Sequence, residues 1–351
     1  MEPGPRRPGW AVYAAAVVTL AVPLGCDGGE AGSCGELAPL VVGDAPAGFP
    51  SGPIAATGPA GNTLTEDRAR LGKRLFFETR LSRTADIACA SCHPQAHAFA
   101  DPRPVSAGVD GRTGTRNAPT LVNLAWASVF FWDGRARTLE EQARQPIENP
   151  LEMDLPLAEG VARLAADPAY VQAFEVAYGS GPSEETVPKA LASFIRTLVS
   201  GETAYDRFLA GDQSALGPDA RRGELIFFGK GGCFHCHPPG TLTNDGFFDN
   251  GTYVDGGDVG RRAITGLPGD LGKFKVPGLR NIAQTAPYMH DGSLATLQEV
   301  VEQYDRGGRG DASTDPLIEP LSLSDDEKRD LVAFLRSLTD DAFLADRRFR
   351  P

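Results

Sequence analysis

Apolar residues recur at helical spacing through much of the chain. In TLQEVVEQYDRGG, residues 296–308, Leu297, Val300, Val301 and Tyr304 stand at i, i+3, i+4 and i+7, one face of a helix. Thr296 and Glu299 form a capping box at its start, and Gly307 with Gly308 stops it. On this pattern alone Tyr304 is a core aromatic. Helical stretches also cover LGKRLFF (71–77), ALASFIRTL (190–198), RGELIFF (222–228) and DLVAFLRSL (330–338). Ser183–Glu184–Glu185 and Ser324-x-x-Glu327 offer starts for the helices of 190–198 and 330–338. The pattern predicts a mainly α protein.

These stretches come in pairs. LGKRLFF precedes CASCH (89–93), and RGELIFF precedes CFHCH (233–237); ALASFIRTL and DLVAFLRSL close the two halves. Between them, PTLVNLAWASVFFWDGRARTLEEQARQP (119–146) aligns without a gap on PGLRNIAQTAPYMHDGSLATLQEVVEQY (277–304), at a constant offset of 158. Asn123 meets Asn281, Asp133–Gly134 meets Asp291–Gly292, and Thr138-x-x-Glu141 meets Thr296-x-x-Glu299, so one capping box is expected to open both helices. At the far end Pro146 meets Tyr304. A first helix, a Cys-x-x-Cys-His motif and a closing apolar helix, repeated, predict two tandem cytochrome c-like domains. The expected boundaries are 63–212 and 213–351, after a leader at 1–25 and a Gly/Ala/Pro-rich tether at 26–62.

The 351 residues suffice for two modest domains, and 41% apolar with 23% charged content is that of a globular protein. A net charge of −12 argues against nucleic acid, whose phosphates require a basic face, and suits a basic or polar protein partner. Near the N-terminus, Arg6 and Arg7 precede an apolar run from Trp10 to Leu24 that is short for a spanning helix and ends PLGC. This resembles a bacterial lipoprotein signal with Cys26 as the lipid-bearing residue. Ordinary signal cleavage and an uncleaved anchor are the alternatives, and all three put the rest of the chain outside the cytoplasm. The expectation is a periplasmic protein tethered to the membrane. Cys34 is unpaired if Cys26 carries lipid; otherwise the two can form a disulfide.

The remaining four cysteines carry the chemistry. In Cys-x-x-Cys-His the two thiols reach the vinyl groups of one haem and the adjacent histidine reaches its iron. Structural zinc would need further Cys or His ligands near each pair, and neither pair has them. Cys89, Cys92, Cys233 and Cys236 are therefore expected to hold two haem c groups, with His93 and His237 as proximal iron ligands and His235 a bystander. Equivalent positions in duplicated domains should face equivalent places. Tyr304 can ligate iron through its phenolate oxygen, while Pro146 has no donor. The repeat thus predicts a six-coordinate haem 2 and an open haem 1. Outside the motifs only His97, His290, Met153 and Met289 remain as further His or Met donors.

The segments RNAPTLVN, FFWDGRA, LEEQA, NPLEM, GKFKVPGLRN and TAPYMHDGS, with both haem motifs, resemble the bacterial di-haem cytochrome c peroxidase family, including its methylamine-dehydrogenase-maturing branch, MauG. The resemblance runs from about residue 60 to 340. It implies that Trp132 lies between the haems, and that Gln142, Pro146 and Glu152 form the distal pocket of the peroxide-binding haem. It also implies an inter-haem calcium ion held by Asn117 and the backbone carbonyls of Thr285 and Pro287. Tyr304 falls where the peroxidases proper carry a Met ligand and the maturing branch a Tyr. The chain also lacks the distal His that blocks haem 1 in many of the peroxidases.

Peroxide cleavage needs a group that moves a proton between the two oxygens. Glu152 is the candidate, Glu148 its rival, and each read alone is a surface charge. Gln142 aligns with apolar Val300, and burying an amide without partners costs about 1–3 kcal/mol, so it needs a reason to be there. Trp132, which aligns with His290, can relay electrons or pack an interface. The run NDGFFDNGTYVDGGDVG (244–260) reads as a loop near haem 2 and an alternative calcium source. The expected function is an oxidoreductase that reduces hydrogen peroxide with electrons from a periplasmic cytochrome c or cupredoxin. The alternatives are a MauG-like oxidase acting on a partner protein and a di-haem carrier without catalysis.

Overall fold

The computed structural model describes residue 40, residues 44–310 and residues 313–351. The leader with Cys26 and Cys34 lies outside the described residues. The helices in chain order are α1 (Glu66–Phe76), α2 (Cys89–Cys92), α3 (Leu139–Glu148), α4 (Leu157–Ala165), α5 (Pro168–Tyr178), α6 (Thr186–Arg196), α7 (Ala204–Leu209), α8 (Pro218–Phe228), α9 (Arg262–Thr265), α10 (Leu297–Asp305), α11 (Asp325–Arg336) and α12 (Asp341–Ala345). The strands β1 (Phe247–Phe248) and β2 (Phe274–Lys275) pair antiparallel. Among the described residues no helix is long and apolar enough to cross a membrane.

Local chemistry explains the ends of these helices. The Thr65 hydroxyl accepts from the Arg68 amide at the start of α1. Glu66 and Asp67 lie in its first turn and Lys73 and Arg74 in its last, complementing the helix dipole. Ser324 and Glu327 close a reciprocal capping box on α11, as Thr296 and Glu299 do on α10. On α3 the expected box is incomplete. Thr138 caps the Glu141 amide, but the Glu141 carboxylate takes the N–H of Arg137, one residue further out, at 2.7 Å.

The duplication is visible in the packing. α1 crosses α6 at Gly72, where a Cβ would overlap the Ala190 carbonyl, and α8 crosses α11 at Gly223, where it would overlap the Asp330 carbonyl. Beside each crossing an aromatic pair repeats: Phe76 with Phe194 and Phe227 with Phe334, both with ring centroids 5.1 Å apart and planes at 57°. Asn123 and Asn281 share one left-handed conformation, φ 61°, ψ 20°. Their amides donate to Leu198 O at 2.9 Å and Leu338 O at 2.8 Å, just past the closing helices. The architecture is two cytochrome c-like halves, mainly helical, each with its own apolar core.

Three features tie the halves together. Asp340 Oδ2 accepts from Ser200 Oγ and from the amides of Gly201 and Glu202 at 3.0–3.2 Å, while Asn281 Nδ2 donates to Ser200 Oγ at 2.9 Å. The Lys275 amide of β2 donates to the Trp132 carbonyl at 2.7 Å. The C-terminal Phe343 and Phe349 return to the first core, with Phe343 5.9 Å from Phe99. Part of the stretch read as tether also lies on the body: Ile54 is wholly buried, and Phe49 packs against Trp126 at 4.8 Å.

Candidate haem sites

Each Cys-x-x-Cys-His motif opens on a cavity. In the first, the single turn α2 is followed by His93, whose amide donates to Cys89 O at 3.0 Å. Left-handed Ala98 and Phe99 (φ 49° and 58°) turn the chain back, so that the Phe99 carbonyl meets His93 Nδ1 at 2.7 Å. A carbonyl only accepts, so Nδ1 carries the proton and Nε2 keeps its lone pair for a metal. The second site repeats the device: left-handed Leu242 (φ 55°) offers its carbonyl to His237 Nδ1 at 2.8 Å. Burial lowers both imidazoles, His237 to about 4, which favours the neutral ring with a free Nε2. None of the four motif cysteines is tied up in a disulfide, so all four are available for thioether bonds. Burial is also the chief cause that pushes Cys89 and Cys233 up to about 12.

The two clefts span about 620 Å³ and 1660 Å³ of non-atom space, the part open to solvent included. Phe76, Leu121 and Leu191 wall the first, and Phe227, Leu297 and Val301 the second. A preset imidazole, two thiols and an apolar wall at each cleft fit a covalently bound haem.

The first cleft gathers Gln142, Pro146 and Glu152 together with the motif residues Cys89, Cys92 and His93. Pro146 sits inside α3, on the turn that follows Gln142. Gln142 Oε1 is buried and has no hydrogen-bond donor among the described residues. Burial raises the Glu152 carboxyl, opposed by an Asn149 Nδ2 donor at 2.6 Å and by the charge of Arg135. Its loop is pinned: Val109 N donates to Glu152 O at 2.8 Å and Arg83 N to Met153 O at 2.9 Å. Glu148, the rival carboxylate, lies outside the cleft and pairs with Arg144 at 2.9 Å. Met153 also lines this cleft, while His97 lines neither.

The second cleft gathers Trp132, Asn117, Thr285, Pro287 and Tyr304 around Cys233, Cys236 and His237. Trp132 lines this cleft and not the first; its indole N–H donates to Asn117 O at 2.8 Å. Burial pushes the Tyr304 phenol up to about 12, opposed by the Asn250 amide, which donates to its oxygen at 3.2 Å. A phenol so placed stays neutral unless a positive centre lies beside it. The Asn117 side-chain Nδ2 donates to Arg103 O at 2.9 Å. In the acidic run 244–260, Asp245 pairs with Lys275 and Asp258 with Arg116. The described residues hold no cluster of three or more His, Cys, Asp or Glu side chains suited to a metal ion. His235 is exposed, its ring tilted against that of Phe234 with centroids 4.1 Å apart.

Sequence reasoning missed Asn149, Asn250 and Lys275. Asn149 stands three residues before Glu152 and was open to notice. Asn250 falls in the run 244–260 read as a loop near haem 2, but nothing in the sequence pairs it with a tyrosine 54 residues away.

Two such histidine-backed clefts in duplicated helical halves define a di-haem c-type cytochrome. A family profile described as di-haem cytochrome c peroxidase matches residues 66–214. The chain is 43% identical over 284 residues to the methylamine utilization protein MauG of Methylorubrum extorquens, covering 80% of each chain. It is 34% identical over 289 residues to the cytochrome c551 peroxidase of Pseudomonas aeruginosa, again covering 80% of each. A solved structure, a MauG-like protein associated with microbial copper homeostasis, matches with a TM-score of 0.79 and 37% identity over 83% of this chain and 95% of that one. The chain belongs to the di-haem cytochrome c peroxidase family.

Proposed function

We propose that the protein reduces hydrogen peroxide to water at the first cleft, with electrons arriving through the second. Haem c, when bound through Cys89, Cys92 and His93, supplies a redox-active iron for the two-electron reduction of peroxide. The observation that carries the reading is that two polar groups line that cleft: Gln142 Oε1, a buried acceptor without a donor among the described residues, and Glu152, whose carboxyl is raised by burial. Gln142 Oε1 accepts an O–H of the bound peroxide and orients it. The Glu152 carboxylate takes the proton from one peroxide oxygen and returns it to the other, which leaves as water. Two electrons and two further protons complete two waters.

Pro146 keeps the position equivalent to Tyr304 free of a donor, and the Met153 thioether packs with the first core. Trp132, bonded to Asn117 and to β2, is the proposed electron relay from the second cleft. A calcium ion bound by the Asn117 side-chain oxygen and the carbonyls of Thr285 and Pro287 would stiffen that wall. The proposed half boundaries are 63–212 and 213–351. The leader pattern supports a periplasmic location and a lipid tether through Cys26.

The test is steady-state turnover of hydrogen peroxide with a reduced small periplasmic cytochrome c or cupredoxin. Donor oxidation that depends on peroxide is expected; its absence with every such donor overturns the peroxidase reading. Tyr304 favours one second reading, a MauG-like oxidase of a partner protein. An anionic oxygen ligand favours higher iron oxidation states and suits holding oxidising equivalents at the second site. Peroxide consumption without donor turnover supports that reading.

A further inference from the structure

The second cleft contains a second potential axial donor. Asn250 Nδ2 donates to Tyr304 Oη at 3.2 Å and also lies 3.3 Å from Met289 Sδ. The phenol oxygen and the thioether sulfur are therefore at most 6.5 Å apart, the sum of these two distances. Both side chains line the cleft that contains His237, Cys233 and Cys236. The amide orientation is fixed, because Thr252 Oγ1 donates to Asn250 Oδ1 at 2.7 Å and turns the NH₂ group toward the two donors.

Met289 is held in place by its backbone. It is a non-glycine residue at φ 73°, a conformation that costs on the order of 1 kcal/mol and persists only where the surroundings impose it. The Tyr288–Leu294 bridge and the Asn117 amide on His290 O at 2.7 Å impose it from both sides. The repeat sharpens the comparison. Phe131, the equivalent of Met289, has the same left-handed twist (φ 65°) but carries the Arg135 guanidinium over its ring at 3.5 Å. The first half thus has Pro146 and Phe131, with no donor at either position; the second has Tyr304 and Met289, with a donor at both.

We propose that Met289 is a reserve axial ligand for the haem 2 iron, exchanging with Tyr304 under the control of Asn250. This rests on the reading that Tyr304 ligates the ferric iron. Hard anionic oxygen favours the ferric state and soft thioether the ferrous state. When one electron arrives from the external donor, the iron–oxygen bond breaks, Tyr304 Oη takes a proton from solvent, and the iron–sulfur bond forms. Asn250, already bonded to both atoms, holds whichever donor is released.

The test is the absorption spectrum and haem 2 potential of the holoprotein and of Tyr304→Phe, Met289→Leu and the double variant. Native ferric protein should lack the long-wavelength sulfur-to-iron charge-transfer band. Ferric Tyr304→Phe should gain it, and the double variant should lose it again, which assigns the band to Met289 rather than Met153. Met289→Leu alone should keep the native ferric spectrum but show a lower potential, since its ferrous state loses the thioether. A Tyr304→Phe spectrum that changes without a sulfur band, or a band that survives in the double variant, overturns the proposal while leaving Tyr304 as ligand. A haem 2 spectrum unchanged in Tyr304→Phe overturns the ligand reading and the exchange together.

Discussion

Glu152 combines burial, which raises its carboxyl, with a single neutral donor, Asn149, that supports the charged form. A proton shuttle needs both states to be accessible. Glu152→Gln removes the shuttle at constant shape, and the expected loss in peroxide turnover is about 10²–10⁴-fold. Haem absorption should be preserved; an unchanged rate in stopped-flow would refute the role. The sign of the pH effect follows from the raised carboxyl. Glu152 must be ionised to take the first proton, so the rate should fall as pH drops through its raised value. The acid limb of kcat/KM should lie above the usual 4.5 of a glutamate, and Asn149→Ala should move it further up. A limb at or below 4.5 would assign the proton transfer elsewhere.

At the scale of elements, the glycine crossings and the Asp340 hub hold the two halves in register. Gly223→Ala drives a methyl into the Asp330 carbonyl where α8 meets α11, with an expected loss of about 1–3 kcal/mol in denaturant unfolding. Asp340→Ala leaves the buried Ser200 hydroxyl and the Gly201 and Glu202 amides without their acceptor, and roughly 3 kcal/mol is expected. A change under 1 kcal/mol would mean that the Asp340 hub does not hold the seam. The helices, haem motifs and repeat were legible because each is written in contiguous spacing: a 3.6 period, a fixed Cys-x-x-Cys-His, a constant offset. Asn250, Lys275 and Asp340 were not. Their partners lie tens of residues away in the sequence (Tyr304, Asp245 and Ser200), and only the closed chain sets the distance. The half-formed box on α3 shows the same limit. Thr138 and Glu141 have the right spacing, yet the carboxylate bonds Arg137.

Across the whole molecule, one duplicated unit has become two unlike sites. The histidine, its carbonyl partner and the aromatic crossing repeat nearly unchanged, so each half can bind haem in the same way. Among the differences between the halves, two concern iron and proton chemistry. Pro146 and Phe131 stand where the second half has Tyr304 and Met289, and Gln142 with Glu152, to which we assign the proton transfer, line the first cleft only. A substrate site needs an open iron and an electron store needs a closed one. The measurement that tests this asymmetry most directly is low-temperature electron paramagnetic resonance of the as-isolated diferric protein. The account predicts one high-spin ferric signal from the first site and one low-spin signal from the second, the latter altered in Tyr304→Phe. Two low-spin signals, insensitive to Tyr304→Phe, would contradict it.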